Sequence, residues 1–222
     1  MFIDKLIGVI APFECLSCRR QGEIVCISCL PKIASSKRSS CFLCNRLTAN
    51  WRVCASCRRK SQLRGVFVAS HYQGKVKTLI RRLKYQRTVS AAGVLAKLLA
   101  KEIAHPGQFN LITWVPASSN RYRLRGYNPA KLIARGLSAE LGIPHAETLY
   151  KLGQTRQVGT DRRLRLSQLR GQMYTVRPSL IKGAKILLVD DVVTTGATLN
   201  ECGRVLKNSG ARFIWGAAVA KL

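Results

Sequence analysis

Short apolar runs separated by polar, glycine-containing segments dominate the chain after residue 64. Runs of four to eight apolar residues are typical of buried strands. They predict an extended segment at 65–72 and strands at 111–115, 186–189 and 213–219. The run at 186–189 is entirely apolar, which suits a central strand of a parallel sheet.

Segments with helical periodicity lie between these runs. We expect a basic helical region at 75–102 and helices at 129–141 and 198–208, with Gly210 placed to end the last one. Strands that alternate with helices predict an α/β fold, with a mostly parallel sheet covered by helices on both faces.

The first 64 residues have a different character, because they contain eight of the nine cysteines and few large apolar residues. We therefore place a domain boundary at residue 64. The prediction is a small metal-binding domain at 1–64 and an α/β domain at 65–222.

Charge narrows the range of partners. The chain of 222 residues carries 38 Lys and Arg against 10 Asp and Glu, a formal net charge of +28. Such a surplus favours polyanions: nucleic acid, phosphorylated small molecules or an anionic membrane surface. Residues 1–12 are too short and too acidic for a signal peptide, and no apolar run approaches the roughly 18 residues of a membrane span. We expect a soluble cytoplasmic protein with reduced thiols.

The cysteines of the first domain form four C-x-x-C pairs. They are Cys15 and Cys18, Cys26 and Cys29, Cys41 and Cys44, and Cys54 and Cys57. Two such pairs present four thiolates to one metal ion, so the sequence predicts two structural zinc ions. An iron–sulfur cluster and redox-active dithiols are less favoured alternatives. Sequential and cross-braced pairing both remain open, and Cys202 is interpreted as a small buried hydrophobe.

The strand at 186–189 leads directly into a loop suited to a phosphorylated sugar. Ligands bind at the carboxyl ends of parallel strands, and backbone N–H groups of small residues before a helix bind phosphate. Two adjacent acids suit ribose hydroxyls, with Mg²⁺ nearby on a pyrophosphate. The candidate residues are Asp190, Asp191, Thr194, Thr195, Gly196, Ala197 and Thr198.

This loop resembles the fingerprint of type I phosphoribosyltransferases at every position. The resemblance implies that Asp190 and Asp191 contact the ribose of phosphoribosyl pyrophosphate and that residues 194–198 cradle its 5-phosphate. The segment Pro116, Ala117 and Ser118 resembles the pyrophosphate loop of that family, and Arg121 follows close behind it.

Several motifs together resemble the ComF competence proteins and their GntX-like relatives. They are the paired cysteine knuckles, Leu83-Lys84-Tyr85, Arg125-Gly126-Tyr127-Asn128, Thr155-x-Gln157 and the Asp-Asp loop. The resemblance implies a double zinc ribbon followed by a phosphoribosyltransferase-like domain. It also implies a cytoplasmic role in natural transformation, with a ComFA-type helicase or DprA as candidate partners.

Two basic regions have open interpretations. The segment 151–170 is either a mobile lid over the substrate or a strip that faces DNA or solvent. A basic surface with interleaved tyrosines predicts a groove for single-stranded DNA. Its candidate residues are Lys77, Arg81, Lys84, Tyr85, Arg125 and Tyr127.

Two functions therefore compete. The first is a DNA-uptake protein that binds phosphoribosyl pyrophosphate and single-stranded DNA. The second is a metabolic phosphoribosyltransferase with an acceptor that the sequence does not identify. The zinc knuckles and the overall charge favour the first, and whether pyrophosphate is released in a catalytic cycle stays open.

Overall fold

The computed structural model describes residues 13–33, 38–152 and 173–222. Six strands and six α-helices occur in these ranges. The strands are β1 (Val66–His71), β2 (Leu111–Trp114), β3 (Leu149–Lys151), β4 (Met173–Thr175), β5 (Lys185–Val193) and β6 (Phe213–Lys221). The helices are α1 (Ala55–Arg58), α2 (Gly74–Tyr85), α3 (Ala91–Ala100), α4 (Ser119–Arg125), α5 (Pro129–Leu141) and α6 (Ala197–Asn208).

Four of the strands form a parallel sheet in the order β1-β6-β5-β2. All nine residues of β6 are buried, so both faces of the sheet are covered at its centre. Helices α3 and α5 pack against each other and against the sheet, and α6 packs against β4, β5 and β6. The predicted α/β fold is confirmed.

The predicted strands are confirmed, although β5 and β6 extend beyond their predicted ends. β5 continues through Asp190 and Asp191 because the backbone of both residues remains in register with β6. The carboxylates therefore lie within the last four residues of β5 rather than in a loop.

The helical region predicted at 75–102 is occupied by two helices, α2 and α3, with a break between them that the sequence pattern did not indicate. Helix α2 ends at Tyr85, and Arg87 has a positive φ of 52° that a helix does not accommodate. Helix α3 begins at Ala91 and buries most of its length. The break lets α2 and α3 bury different apolar faces against the same core.

A second sheet and two short helices, α1 and α4, are absent from the sequence-based prediction. β3 and β4 form an antiparallel pair, and Tyr150 lies opposite Tyr174. Each strand has three residues, too few for a periodic pattern to be visible. Helix α4 is also short, and none of its residues is buried.

The cysteine-rich segment packs directly on the α/β part of the chain. Arg64 donates its backbone N–H to the carbonyl of Ile214 in β6 at 2.9 Å. Trp51 is buried, and a Cβ on Gly65 would collide with its carbonyl oxygen. These contacts join the two parts of the chain. The domain boundary at residue 64 therefore remains our proposal.

Candidate phosphoribosyl site and metal centres

Two carboxylates lie at the carboxyl end of β5. Both side chains are only partly exposed, and the Asp190 Oδ1 accepts a hydrogen bond from the Asp191 N–H at 2.8 Å. Burial raises the pKa of the Asp190 carboxyl to about 8, and the adjacent Asp191 charge acts in the same direction. Lys84 and Arg121 oppose this rise. The site therefore holds two acids with cations close by.

Asp191 is paired with a lysine from another element. The Lys84 Nζ lies 2.7 Å from the Asp191 Oδ1, and both side chains are largely buried. Lys84 follows Leu83 at the edge of the apolar face of α2. In this structure the Lys84 side chain is held at the candidate ribose site. Its contact with nucleic acid remains a prediction.

The segment after β5 has the geometry of an anion-binding turn. Gly196 has a φ of 73° and is the N-cap of α6, a conformation that favours glycine. Thr194 and Thr195 are exposed, whereas Gly196 is buried. Backbone N–H groups at a helix start carry a partial positive charge. We call residues 194–198, which include Ala197 and Thr198, the phosphate loop.

The candidate pyrophosphate loop lies at the same edge of the sheet. Val115 donates its N–H to the carbonyl of Val189 at 2.9 Å, so Pro116, Ala117 and Ser118 follow beside Asp190 and are partly exposed. Arg121 in α4 is exposed and near enough to influence the pKa of Asp190. The structure brings both predicted loops and Arg121 together, and their roles in binding remain predictions.

Two further residues lie around this site: Lys151, the first residue of the segment 151–170, and Cys202, which the sequence analysis interprets only as a small buried hydrophobe. Burial lowers the pKa of the Lys151 ammonium, with Arg121 adding to the effect. Burial also raises the pKa of the Cys202 thiol, and the charge of Asp190 contributes. These electrostatic effects place Cys202 near Asp190, and Lys151 near Cys202 and Arg121. Nothing in the local sequence pattern indicates this, because β3 and α6 meet only in the folded chain.

The motif Arg125-Gly126-Tyr127-Asn128 has a structural role. Asn128 donates its side-chain N–H to the carbonyl of Val115 at 2.9 Å and accepts from the N–H of Ala130 at 3.0 Å. It therefore caps α5 and fixes the strand that leads into the pyrophosphate loop. The Tyr127 hydroxyl donates to the carbonyl of Leu83, so this tyrosine joins α2 to the start of α5.

The eight knuckle cysteines form two clusters. Cys15, Cys18, Cys26 and Cys29 make the first cluster, and Cys41, Cys44, Cys54 and Cys57 make the second. Within each cluster the Sγ atoms lie within 4.8 Å of one another. The pairing is therefore sequential, and the alternative of a cross-braced arrangement is excluded for these residues.

Each cluster has the donor set that zinc prefers, four sulfur atoms arranged around one point. Hydrogen bonds with the Ser56 hydroxyl, 3.2 Å from the Cys54 Sγ, and with Cys44 and Cys57 lower the pKa of the Cys54 thiol to about 6. Hydrogen bonds with Cys44 and Cys54 raise the pKa of the Cys57 thiol to about 12. Thiolate is the form that binds metal. The two clusters fit two zinc ions.

A model of the phosphoribosyl transferase domain family matches residues 125–221. Competence protein F of Haemophilus influenzae is 28% identical over 223 residues, which cover 88% of this chain and 96% of that protein. Competence protein ComFC of Streptococcus pneumoniae is 28% identical, in a match that covers 88% of this chain and 80% of that protein. The DNA utilization protein YhgH of Salmonella typhi is 30% identical, in a match that covers 65% of this chain and 66% of that protein.

The chain belongs to the ComF family of competence proteins. Its two sulfur clusters and its phosphoribosyltransferase-like sheet agree with that membership. No described helix is long and apolar enough to cross a membrane.

This ComF family member carries basic and aromatic side chains on α2 and α4. Lys77 and Arg81 are exposed on α2, and Tyr85 at its end has 69% of its surface exposed. The Arg125 guanidinium lies 5.2 Å from the centre of the Tyr85 ring, a cation–π distance. These four residues form one surface, which we call the α2–α4 surface. Most of the predicted lid, 151–170, lies outside the described residues.

Proposed function

We propose that the chain binds phosphoribosyl pyrophosphate with Mg²⁺, binds single-stranded DNA, and acts in the cytoplasm during DNA uptake in natural transformation. The observation that carries the proposal is the carboxyl edge of the sheet. There two acids, a glycine-capped helix start and the segment 116–118 lie beside one another.

Each part of this edge suits one part of the ligand. Carboxylates accept hydrogen bonds from the ribose hydroxyls. The phosphate loop offers N–H groups and hydroxyls to the 5-phosphate. Arg121 and the segment 116–118 lie where the pyrophosphate would extend, and Mg²⁺ on its oxygens would offset charge close to Asp190 and Asp191.

Calorimetry tests the small-molecule site. Wild type and the variant Asp190→Ala/Asp191→Ala are titrated with phosphoribosyl pyrophosphate in Mg²⁺, and Glu147→Ala is the control. Glu147 is an exposed acid that pairs with Lys131 at 3.8 Å and belongs to neither of the two predicted loops. We expect the double variant to lose binding while the control retains it. Equal affinity of wild type and the double variant would contradict the assignment of the acids.

Support for DNA binding comes from charge and exposed aromatic rings. The net charge of +28 provides attraction to phosphates. Tyr85 is free of the core and flanked by Arg125, which suits stacking on a nucleobase. Among the relatives, the names competence protein and DNA utilization protein support a role in handling DNA.

Fluorescence anisotropy with a labelled oligothymidylate tests this part at several salt concentrations. Each phosphate contact on a single strand contributes about −0.7 to the slope of log K against log salt. The variant Lys77→Ala/Arg81→Ala should therefore flatten the slope by about 1.4. A control with the same loss of charge is Lys182→Ala/Arg212→Ala, whose exposed side chains lie at the opposite, amino-terminal ends of β5 and β6. Identical slopes for the two variants would contradict the α2–α4 surface.

Phosphoribosyl transfer is the second candidate. The match to the phosphoribosyl transferase domain family favours it. An assay of pyrophosphate release distinguishes this enzyme function from the DNA-uptake function. It is run with candidate acceptors, with and without single-stranded DNA. Release with a small-molecule acceptor and no dependence on DNA would favour a metabolic enzyme.

A further inference from the structure

The second cysteine cluster lies directly against the phosphate loop. Phe42 sits between Cys41 and Cys44, and its side chain is buried. A Cβ placed on Gly196 would lie 2.5 Å from the Cε2 of Phe42 and 3.6 Å from the Cδ2 of Leu43. The phenyl ring therefore rests on the Cα of Gly196, the N-cap residue of α6.

Two further contacts join the second cluster to the same region. The Asn200 side chain in α6 accepts from the Gln62 N–H at 2.7 Å and donates to the Lys60 carbonyl at 3.0 Å. Both partners lie within five residues of Cys57 in the sequence. The Lys221 Nζ at the end of β6 donates to the Cys41 carbonyl at 3.1 Å. The start of α6 and the end of β6 are thus both attached to the cluster.

The phosphate loop has two different sides. Gly196 is covered by Phe42, whereas Thr194 and Thr195 remain exposed. The ring therefore supports the loop backbone and leaves the threonine side open to a ligand. A turn of this kind without such support would have to be ordered when the phosphate binds, and the entropy lost on ordering opposes binding.

The first cluster meets a different element. The Lys75 Nζ of α2 donates to the Ser17 hydroxyl at 2.7 Å, and this contact is exposed. The two clusters consequently differ in what they can position, although their ligand sets are the same.

We propose that Phe42 is a positioning residue for the phosphate loop and that the metal of the second cluster maintains phosphoribosyl binding through it. The metal holds the knuckle of Cys41 and Cys44, the knuckle holds the ring, and the ring holds Gly196 in its left-handed conformation. The inference rests on the proposed phosphoribosyl site and adds that one of the two metals controls it.

Substitution of Phe42 tests the contact. Phe42→Ala should weaken binding of phosphoribosyl pyrophosphate with Mg²⁺ about tenfold, since ordering one further residue costs about 1.4 kcal/mol. Leu16→Ala is the matched control, because Leu16 follows the first cysteine of the first cluster as Phe42 does in the second. Phe42→Leu retains most of the bulk and should recover most of the affinity. Metal content should stay at the wild-type value in all three.

Removing one ligand from each cluster tests the metal. Cys18→Ser and Cys44→Ser both alter an exposed cysteine, and each should lower the metal content by about one ion per chain. Only Cys44→Ser should lower the affinity for phosphoribosyl pyrophosphate. This pair does not depend on whether Phe42→Ala folds.

The outcomes separate this inference from the proposed function. If wild type does not bind phosphoribosyl pyrophosphate, the proposed site is wrong. If wild type binds and Phe42→Ala binds equally or more tightly, Phe42 does not position the loop. Equal affinities of Cys18→Ser and Cys44→Ser would overturn the role of the second metal.

Discussion

Replacing Lys84 by methionine should destabilise the protein in a way that depends on pH. The Lys84–Asp191 pair has an N–O distance of 2.7 Å, and its side chains are only 17% and 15% exposed. Methionine keeps most of the side-chain length and removes the charge. The variant leaves the Asp191 carboxylate without its cation, beside a second acid.

The magnitude follows from burial and geometry. Removing one partner of a fully buried pair costs about 3–5 kcal/mol, and a hydrogen bond to a charged group contributes about 1.5–3 kcal/mol. Because some solvent reaches this pair, we expect a loss of about 2 kcal/mol. For a chain of this size that corresponds to a decrease of about 4–8 °C in the unfolding midpoint.

The sign of the pH dependence comes from Asp190. Its folded-state pKa is raised to about 8, so its contribution to stability is present at low pH and is lost as pH rises through that value. Lys84 lowers this pKa, and its removal raises the pKa further. The difference between variant and wild type should therefore be larger at about pH 9 than at about pH 6.5.

Thermal unfolding followed by circular dichroism at the two pH values measures both effects. Lys131→Met is the control, since its pair with Glu147 spans 3.8 Å and the side chains are 42% and 47% exposed. Such exposed pairs contribute at most about 1 kcal/mol. A loss for Lys84→Met no larger than that of the control, or one independent of pH, would refute the reasoning.

Two further substitutions and one metal analysis have expected outcomes. Asn128→Ala removes the cap of α5 and the bond to Val115, so denaturant unfolding should show a loss of about 2 kcal/mol; a neutral effect would contradict that role. Tyr127→Phe removes one hydrogen bond to Leu83 and should cost about 1 kcal/mol in the same assay, and a loss as large as that of Asn128→Ala would argue against a simple bond. Atomic absorption should find about two zinc ions per chain, and a value of one would contradict two complete clusters.

The sequence predicts those parts of the fold that depend on local patterns. The strand at 186–189 and the helix at 129–141 have clear apolar periodicity, and both occur in the structure. The break between α2 and α3 depends on where their apolar faces meet a shared core, so the continuous helical pattern from 75 to 102 concealed it. The pair of β3 and β4 has no periodic signal, because each strand has only three residues.

The residues of the candidate site also fall into two groups, those that the sequence pattern predicts and those that only the fold brings together. Asp190, Asp191 and the phosphate loop are contiguous, and their residue types alone indicate the chemistry. Lys84 and Phe42 come from distant segments, and only folding brings them to the loop. The sequence does contain a weak indication that Lys84 pairs with the acids. Two adjacent acids need a cation nearby, and Lys84 borders the apolar face of α2.

The sequential pairing of the cysteines also required the structure. Sequence spacing allows both arrangements, because short loops can join neighbouring knuckles or let them cross. In the sequential arrangement each cluster contacts a separate element. Ser17 beside the first cluster contacts α2, and Phe42 in the second contacts the N-cap of α6.

A calorimetric titration of wild type with phosphoribosyl pyrophosphate, in buffers with and without Mg²⁺, tests the central claim most directly. We expect about one ligand per chain, with tighter binding when Mg²⁺ is present, since the ion offsets charge between the pyrophosphate and the acids of β5. The absence of binding in both buffers would contradict the assignment of this edge of the sheet as a phosphoribosyl pyrophosphate site.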